Sequence, residues 1–378
     1  MSALLSTLAD LVRINSINPA YQDGRPEGEI DAYIAEFFRT RGIATREQEV
    51  YPDRPNLIAV MPGRNPSRRV VFEAHVDTAS VVGMTIPPFE PNIERGRLYG
   101  RGACDNKAGL AGMMHALASI KADGVTPPCD IWVVAAADEE YSFRGVVKLC
   151  EGLVADAAVV SEPTEMRAVI ASKGCVRWKI TAHGKAAHSS KPHLGTNAIS
   201  HMAAAILVIE QDAKARQSET HPLVGAPTAN VGVIAGGVQV NFVPDQCSIE
   251  VDRRLIPGEN IRDVLAGYRR LLDSLEQQNP GMRFTMDEPL LEDEPLETPL
   301  DSAPARLASQ ILADLDLSPQ LAGVPYGSDA SKLSRAGIPS VLFGPGSIDQ
   351  AHAAVEFVDC DQVEQAFEFY RRFMLHFE

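Results

Sequence analysis

The feature that most limits the possible folds is the alternation of short apolar runs with helix-like segments in the first 170 or so residues. The strand-like runs are "RPNLIAVMPG", "RRVVFEAHVD", "CDIWVVAAADEE" and "DAAVVSEPT", and the helix-like segments between them are "NKAGLAGMMHALASIKADG" and "RGVVKLCEGL". Strands that are apolar along nearly their whole length are buried on both faces. We therefore predict an α/β fold with a mixed, largely parallel sheet that carries helices on both faces.

The pattern changes near residue 173. From there to about residue 295, half-exposed strands such as "GCVRWKITAH" are combined with two helices, a composition that indicates an α+β unit of two layers with an antiparallel sheet. The earlier pattern resumes with "SVLFGPG" and a C-terminal helix. We therefore predict one domain built from residues 1–172 and 296–378, and a second domain, residues 173–295, inserted into it.

Charge and cysteine usage exclude several classes of protein. The chain has 50 acidic and 35 basic residues, so its net charge of −15 argues against nucleic acid or an anionic membrane as a partner. No apolar run reaches the roughly 18–20 residues that span a bilayer, and "MSALLSTLADLVRI" predicts an amphipathic helix rather than a signal peptide. The six cysteines are scattered and lack C-x-x-C spacing, which is typical of reduced thiols. We expect a cytoplasmic protein.

Acidic and histidine side chains follow the predicted strands. His75 and Asp77 are two positions apart at a strand end, so their side chains point to the same side. In open α/β sheets the functional crevice lies beyond the carboxyl ends of the strands. We therefore expect these two residues to converge with the other polar residues that lie next to strands or helices, which are Asp105, Asp138, Glu139, Glu140, Glu162 and His352.

This set of side chains suits divalent metal ions. Imidazoles and carboxylates without thiolates favour zinc, cobalt or manganese, and the number of groups is sufficient for two ions. A paired site requires a bridging carboxylate, further ligands on each ion and a base for the attacking water. Glu139 and Glu140 are adjacent, so one can bind an ion while the other acts as the base.

Five segments together resemble the M20 metallohydrolases, the family of acetylornithine deacetylases, succinyl-diaminopimelate desuccinylases, aminoacylases and related carboxypeptidases. The segments are "AHVDT", "GRGACDNKAGLAG", "DEE", "SEPT" and "GPGSIDQAH". The resemblance implies a zinc-peptidase-like catalytic domain that holds two divalent ions, with zinc expected first and cobalt or manganese as alternatives. On this basis one ion is bound by His75, Asp105 and Glu162, and the other by Asp105, Glu140 and His352, so that Asp105 is the bridge.

The resemblance also assigns catalytic roles. Glu139 would be the general base for a metal-activated water and would pass the proton to the leaving amine. Asp77 would hold the imidazole of His75 in its ligating orientation, as metal-bound histidines generally require.

The inserted domain contributes further candidates. His188, in "AHSS", would stabilise the oxyanion, in many relatives from across a dimer interface, whereas spacing alone does not distinguish it from His183 and His193. Asn241 and Arg254 match positions that contact the substrate. Arg254 suits a carboxylate clamp, although it could instead pair with an acid in its own sheet. A free edge of the inserted sheet would favour a homodimer.

The implied reaction is metal-dependent hydrolysis of the amide bond of an N-acyl amino acid, with N-acetylornithine as the first candidate substrate and N-succinyl-diaminopimelate as the second. A dipeptidase or carboxypeptidase of the same family is the alternative, since glutamate at position 162 disfavours only the aminopeptidases. A non-catalytic metal-binding relative is a further alternative, which the presence of Glu139 disfavours. A nicotinamide-dependent enzyme is excluded because "GRGACD" lacks the glycine fingerprint.

Overall fold

The computed structural model describes residues 1–378, and its Cα positions form two compact units. The first unit consists of Met1–Ile170, Thr298–Ala322 and Ser328–Glu378, and the second consists of Ala171–Glu297 and Gly323–Gly327. The second unit therefore also includes the short segment Gly323–Gly327, which comes more than twenty residues later in the chain than the rest of that unit.

The helices are α1 (Ala3–Arg13), α2 (Gly28–Arg39), α3 (Lys107–Ala122), α4 (Arg144–Cys150), α5 (Ala198–Ala215), α6 (Ile261–Gln278), α7 (Ala303–Asp314), α8 (Ala330–Arg335) and α9 (Cys360–His376). The strands are β1 (Ala44–Tyr51), β2 (Arg54–Met61), β3 (Asn65–His75), β4 (Asn92–Glu94), β5 (Arg97–Tyr99), β6 (Cys129–Ala136), β7 (Ala157–Val160), β8 (Val169–Ser172), β9 (Gly174–His183), β10 (Ala187–His188), β11 (Thr228–Gly236), β12 (Phe242–Val243), β13 (Gln246–Leu255), β14 (Phe284–Met286), β15 (Leu291–Asp293), β16 (Leu296–Glu297), β17 (Ala322–Val324), β18 (Ser340–Leu342) and β19 (Phe357–Asp359).

The sheet of the first unit has the order β1-β2-β6-β3-β7-β18, and it continues through β8, the strand in which the chain passes into the second unit. Its four central strands, β6, β3, β7 and β18, are parallel, whereas β1 and β2 are antiparallel to their neighbours. The predicted mixed α/β sheet is therefore confirmed, and the carboxyl ends of the parallel strands lie at one edge.

Helices cover both faces of this sheet. The ring of Phe72 on β3 packs against Tyr370 and Phe373 of α9, with ring centroids 6.3 and 5.8 Å apart. The next residue, Glu73, points to the opposite face and lies beside Asp329, the residue before α8. The central strands are buried on both sides for this reason, as their continuous apolar sequences predict.

The second unit has a five-stranded antiparallel sheet in the order β11-β13-β9-β14, with β15 also paired to β9. Its core contains Trp178 and Ile249 from the sheet, Met202 from α5 and Leu272 from α6. The ring of Trp178 is 4.9 Å from that of Tyr268 on α6. The two-layer α+β architecture predicted for this part of the chain is confirmed, and β11 forms one edge of the sheet.

The N-terminal segment forms the predicted amphipathic helix α1. It begins at Ala3, where the Ser2 hydroxyl accepts the Leu5 N–H, and its last turn is bound by the buried amine of Lys107. Lys107 Nζ donates to the carbonyls of Leu11 and Ile14 at 3.0 and 2.8 Å. No helix in the protein combines the length and the apolarity that a membrane crossing requires.

One buried acid on α2 should make the stability depend on pH. Both oxygens of Asp31 are buried without a hydrogen-bond partner, and burial, together with Glu27 and Glu47 nearby, raises the pKa of Asp31 from 3.8 to about 8. A folded-state pKa above the unfolded one means that the folded state loses stability as pH rises between these two values. Asp31→Asn should therefore be increasingly more stable than the wild type from pH 4 to about pH 8.

The measurement is the free energy of unfolding in urea at several pH values across this range. Glu29→Gln is the matched control, because Glu29 is an exposed acid in the first turn of the same helix. Its curve should run parallel to that of the wild type. A constant difference between Asp31→Asn and the wild type at all pH values would contradict the prediction.

Candidate metal centre

The polar residues that follow the central strands meet at one edge of the first unit's sheet. Because β3, β6, β7 and β18 are parallel, the segments that leave their carboxyl ends lie side by side. The loop before α3 lies at the same edge and contributes Asp105. The strand ends and the segments after them contribute the other candidates, which are His75, Asp77, Glu139, Glu140, Glu162 and His352.

Two overlapping groups of side chains could each hold a metal ion. His75, Asp105 and Glu162 form one group, and Asp105, Glu140 and His352 form the other; within each group the possible ligand atoms lie within 4.8 Å of one another. Asp105 Oδ1 is 3.1 Å from His75 Nε2, whereas Asp105 Oδ2 is 3.5 Å from His352 Nε2. The two oxygens of Asp105 thus face different histidines, as a bridging carboxylate requires. The donor set therefore fits two divalent cations.

The glutamates of the centre are in an environment that opposes their negative charge. Burial is the main cause that raises the pKa of Glu139 to about 8. The charge of His75 opposes this shift, and the neighbouring carboxylates, Glu140 first, add to it. Burial and the charge of Asp105 likewise raise the pKa values of Glu162 and Glu140. Several buried carboxylates in mutual contact are stabilised by cations.

The histidines show the complementary effect. Hydrogen bonds with Asp105 and Glu140 raise the pKa of His352 to about 10. Burial opposes charge on His75, but its hydrogen bonds with Asp105 and Asp77 raise its pKa well above the usual value. Burial would also raise the pKa of Asp105, yet the bonds from both histidines hold it well below its ordinary range. The centre therefore attracts positive charge.

Asp77 organises the region around the centre. The Nδ1 atom of His75 is 2.9 Å from the main-chain carbonyl of Asp77 and 3.6 Å from its carboxylate. Donation from Nδ1 leaves Nε2 free to face Asp105. The Asp77 carboxylate also accepts the N–H groups of Glu139 and Glu140, at 3.1 and 3.0 Å. One side chain thus fixes the turn that presents both glutamates.

Glu356 is a supporting residue that the sequence analysis did not identify. Its carboxylate is fully buried and accepts the main-chain N–H groups of Cys104 and Asp105 at 2.9 and 3.1 Å. Its other oxygen accepts a 2.5 Å bond from Arg101, which also donates to the carbonyl of Ser80. Glu356 therefore fixes the backbone of Asp105, the residue that both candidate ligand groups share. Its position four residues after His352, directly before a short strand, is the only sequence signal for this role.

Asn106 connects the loop before α3 to the end of β7. Its amide nitrogen donates to the carbonyl of Ser161 at 2.6 Å, and the Ser161 hydroxyl donates to its amide oxygen at 2.6 Å. Gly109 makes this approach possible, because a Cβ at position 109 would lie 1.6 Å from Ser161 Oγ. These contacts hold Asp105 and Glu162, the neighbours of Asn106 and Ser161, in adjacent segments.

His188 and Asn241 belong to the second unit. His188 is an exposed residue on β10, and its Nδ1 atom is 2.8 Å from the Ser190 hydroxyl. Asn241 is also exposed, and its main-chain carbonyl accepts the Ser189 N–H at 3.0 Å. The pairing of β10 with β12 brings these two segments together.

Arg254, on β13, is bound to an acid of its own strand. Its Nε and Nη2 atoms donate to the two oxygens of Asp252 at 2.8 and 3.3 Å. Asp252 also accepts a 2.8 Å bond from Arg177 on β9. Arg254 therefore pairs with an acid of its own sheet, which was one of the two alternatives that the sequence allowed. Because two arginines share this one carboxylate, the group still has a net positive charge.

This sheet edge brings imidazoles and carboxylates together in two groups that share one aspartate. Such an arrangement is typical of metal-dependent hydrolases. Residues 71–376 match the peptidase family M20/M25/M40. The chain belongs to this family, whose members hydrolyse amide bonds with the aid of metal ions, and the resemblance noted in the sequence is confirmed.

Individual relatives extend this similarity over the whole chain. The acetylornithine deacetylase of Myxococcus xanthus is 28% identical over 100% of this chain and 98% of its own length. A probable succinyl-diaminopimelate desuccinylase of Staphylococcus epidermidis is 27% identical, with 96% and 95% covered.

Two solved structures show the same fold. A tripeptidase from Staphylococcus aureus has a TM-score of 0.82 at 24% identity, with 98% of this chain and 96% of that chain covered. A dinuclear metal-binding M20 peptidase from Bacillus subtilis has a TM-score of 0.75 at 17% identity, with 99% and 98% covered. At these identities the comparison concerns architecture alone.

Proposed function

We propose that this protein hydrolyses the amide bond of an N-acyl amino acid and releases a carboxylate and a free amine. The observation that carries the proposal is the Asp105 carboxylate between two histidines, with Glu139 on the turn beside it. The similarity to an acetylornithine deacetylase over the full length supports the substrate class. N-acetylornithine is the first candidate substrate, and N-succinyl-diaminopimelate is the second.

We propose that His75, Asp105 and Glu162 hold one ion and that Asp105, Glu140 and His352 hold the other. Zinc is expected first, and cobalt or manganese also suit these ligands. When bound, such ions lower the pKa of water and polarise the carbonyl of the amide.

In the proposed reaction Glu139 removes a proton from the attacking water and delivers it to the leaving amine nitrogen. Glu139 is suited to this because neither ligand group includes it, so its carboxylate is available to the substrate. Asp77 supports the step by holding the N–H of Glu139 and the ring of His75. We further propose that His188 stabilises the oxyanion, and that Asn241 and Arg254 bind the substrate.

The test is amine release from N-acetylornithine, N-succinyl-diaminopimelate, simple N-acetyl amino acids and several dipeptides. Each substrate is tested with added zinc, cobalt or manganese and again after treatment with a chelator. We expect chelator-sensitive turnover of an N-acyl amino acid. Turnover confined to dipeptides would indicate the dipeptidase or carboxypeptidase alternative. No turnover by a protein that binds the metal would indicate a non-catalytic relative.

We also propose a cytoplasmic homodimer. All six cysteines are unpaired, as expected in a reducing compartment. The edge strand β11 exposes Val233 and Ile234, and the following segment exposes Val238 and Val240 almost completely. Apolar side chains at an open strand edge are stabilised when a second chain covers them. A second copy related by a two-fold axis would present the same edge in return.

If His188 acts across the dimer interface, two inactive variants should complement each other. After subunit exchange between His188→Ala and Glu139→Gln chains, we expect about a quarter of the sites to be intact, because each mixed dimer contains one complete site. The activity of the mixture is compared with that of each variant alone.

The control is a mixture of Glu139→Gln with Asp105→Asn. Both of these changes lie in the first unit, so no mixed dimer of this pair contains a complete site. Subunit exchange must be confirmed by mass, with one chain carrying an affinity tag. No rescue in the first mixture, despite confirmed exchange, would show that His188 does not act in trans.

A further inference from the structure

Asn18 lies between α1 and α2 and is completely buried. Its amide nitrogen donates to Asp77 Oδ2 at 2.8 Å and to Asp138 Oδ1 at 2.9 Å. Its amide oxygen accepts the Ala20 N–H at 2.9 Å. Both amide hydrogens therefore have carboxylate acceptors, and the orientation of the amide is fixed by the Ala20 N–H on the other side.

The two acceptors are carboxylates that have to be kept close together. Asp77 and Asp138 follow the neighbouring parallel strands β3 and β6, and both are buried. Two negative charges in such a position repel each other. A neutral amide between them provides one donor to each without adding a charge, and Asp138 receives further bonds from Tyr51 and Arg54 at 3.0 and 3.2 Å.

We propose that Asn18 is a positioning residue for the hydrolytic reaction. It acts through Asp77, whose carboxylate accepts the N–H groups of Glu139 and Glu140. The amide of Asn18 fixes the oxygen to which Glu140 also donates, and it holds Asp138, the first residue of the same turn. Without the amide, Asp77 and Asp138 each lose a hydrogen bond that holds them in place. The turn that carries the proposed base and a proposed metal ligand is then less firmly fixed. This inference rests on the proposed function and adds to it a residue of the N-terminal segment.

Ser16 provides a matched control on the same segment. It is also completely buried, and its hydroxyl donates to the Val76 carbonyl at 2.7 Å. Its own carbonyl accepts the Thr78 N–H at 2.9 Å, and the Asn18 N–H donates to the Thr78 carbonyl at 2.9 Å. Ser16→Ala therefore weakens the attachment of the segment to the end of β3 without removing a donor from either carboxylate.

The test compares Asn18→Leu and Ser16→Ala in the full chain. Hydrogen exchange of the Glu139 and Glu140 amides is measured in the metal-free protein, and kcat and KM are measured with the best amide substrate of the wild type. We expect Asn18→Leu to speed exchange at both amides and to lower kcat by about 10- to 100-fold, as for other residues that orient metal-site groups. KM should remain similar. Ser16→Ala should lower the melting temperature but leave exchange and kcat close to the wild type.

Asn18→Asp is the second variant, in case the leucine variant does not fold. It keeps the size of the side chain but replaces the amide donors with an oxygen that faces two carboxylates, so the same direction of change is expected. Unchanged exchange and kcat in the Asn18 variants, or equal losses in Ser16→Ala, would overturn the inference. Absence of amide hydrolysis by the wild type would reject the proposed function instead, and the exchange measurement would still decide the role of Asn18.

Discussion

Replacing Glu139 with glutamine is expected to lower kcat by about 10²- to 10⁴-fold, the usual contribution of a general base, while the metal content stays unchanged. Glutamine has nearly the size of glutamate but does not accept a proton from water. Glu139 belongs to neither group of candidate ligands, and its main-chain N–H, which Asp77 binds at 3.1 Å, is unaffected by the change. Steady-state kinetics and metal analysis by mass spectrometry of the same sample test the prediction.

The adjacent glutamate provides the comparison. Glu140 lies in the same turn and donates its N–H to the same aspartate, but its carboxylate is within a candidate ligand group. Glu140→Gln should therefore lose metal as well as activity. Retained turnover in Glu139→Gln would reject Glu139 as the base, and loss of metal in that variant would place it among the ligands.

Asp105→Asn is expected to weaken the binding of both ions and to abolish detectable turnover. Asp105 is the only side chain that both candidate ligand groups contain, and its two oxygens face different histidines at 3.1 and 3.5 Å. An amide nitrogen does not bind a divalent cation in place of a carboxylate oxygen, and the charge of the bridge is lost as well. Equilibrium dialysis against zinc should show that the affinity falls at both sites.

His352→Ala is the control for the bridge. His352 belongs to one group only, and its side chain is 55% exposed, whereas that of Asp105 is 8% exposed. Its replacement should weaken the binding of one ion and leave the other in place. If Asp105→Asn and His352→Ala lost the same amount of metal, Asp105 would not be the bridge.

The sequence predicts the parts of this fold that depend on local pattern. The continuous apolar character of β3 and β6 indicates strands buried on both faces. His75 at the end of one such strand and Glu162 shortly after another indicate one shared edge. Short elements depend on partners instead. Strand β19 has three residues and exists through its pairing with β5, which joins Phe357 to Tyr99. No local pattern indicates such a pairing.

The supporting residues of the centre were not predictable for the same reason. Asn18 reaches Asp138 across 120 positions of the chain, and Glu356 reaches Asp105 across 251. The residues next to Asn18 and Glu356 in the sequence do not distinguish them from an ordinary loop asparagine and an ordinary acid before a strand. Similarly, Gly327 belongs to the second unit and lies so close to Asp293 that a Cβ at position 327 would be 1.6 Å from a carboxylate oxygen. Only the folded chain shows these approaches.

The place of β18 in the sheet has a consequence for biosynthesis. This strand, Ser340–Leu342, pairs with β7, Ala157–Val160, so one side of β7 has no parallel neighbour while the ribosome makes the residues between them. Ala171–Glu297, which forms nearly all of the second unit, emerges during that interval and has its own apolar core. All residues of the second unit, including Gly323–Gly327, are thus synthesised before β18, while the first unit still has an open strand edge. Such an edge is a condition under which chaperones protect multidomain proteins from aggregation.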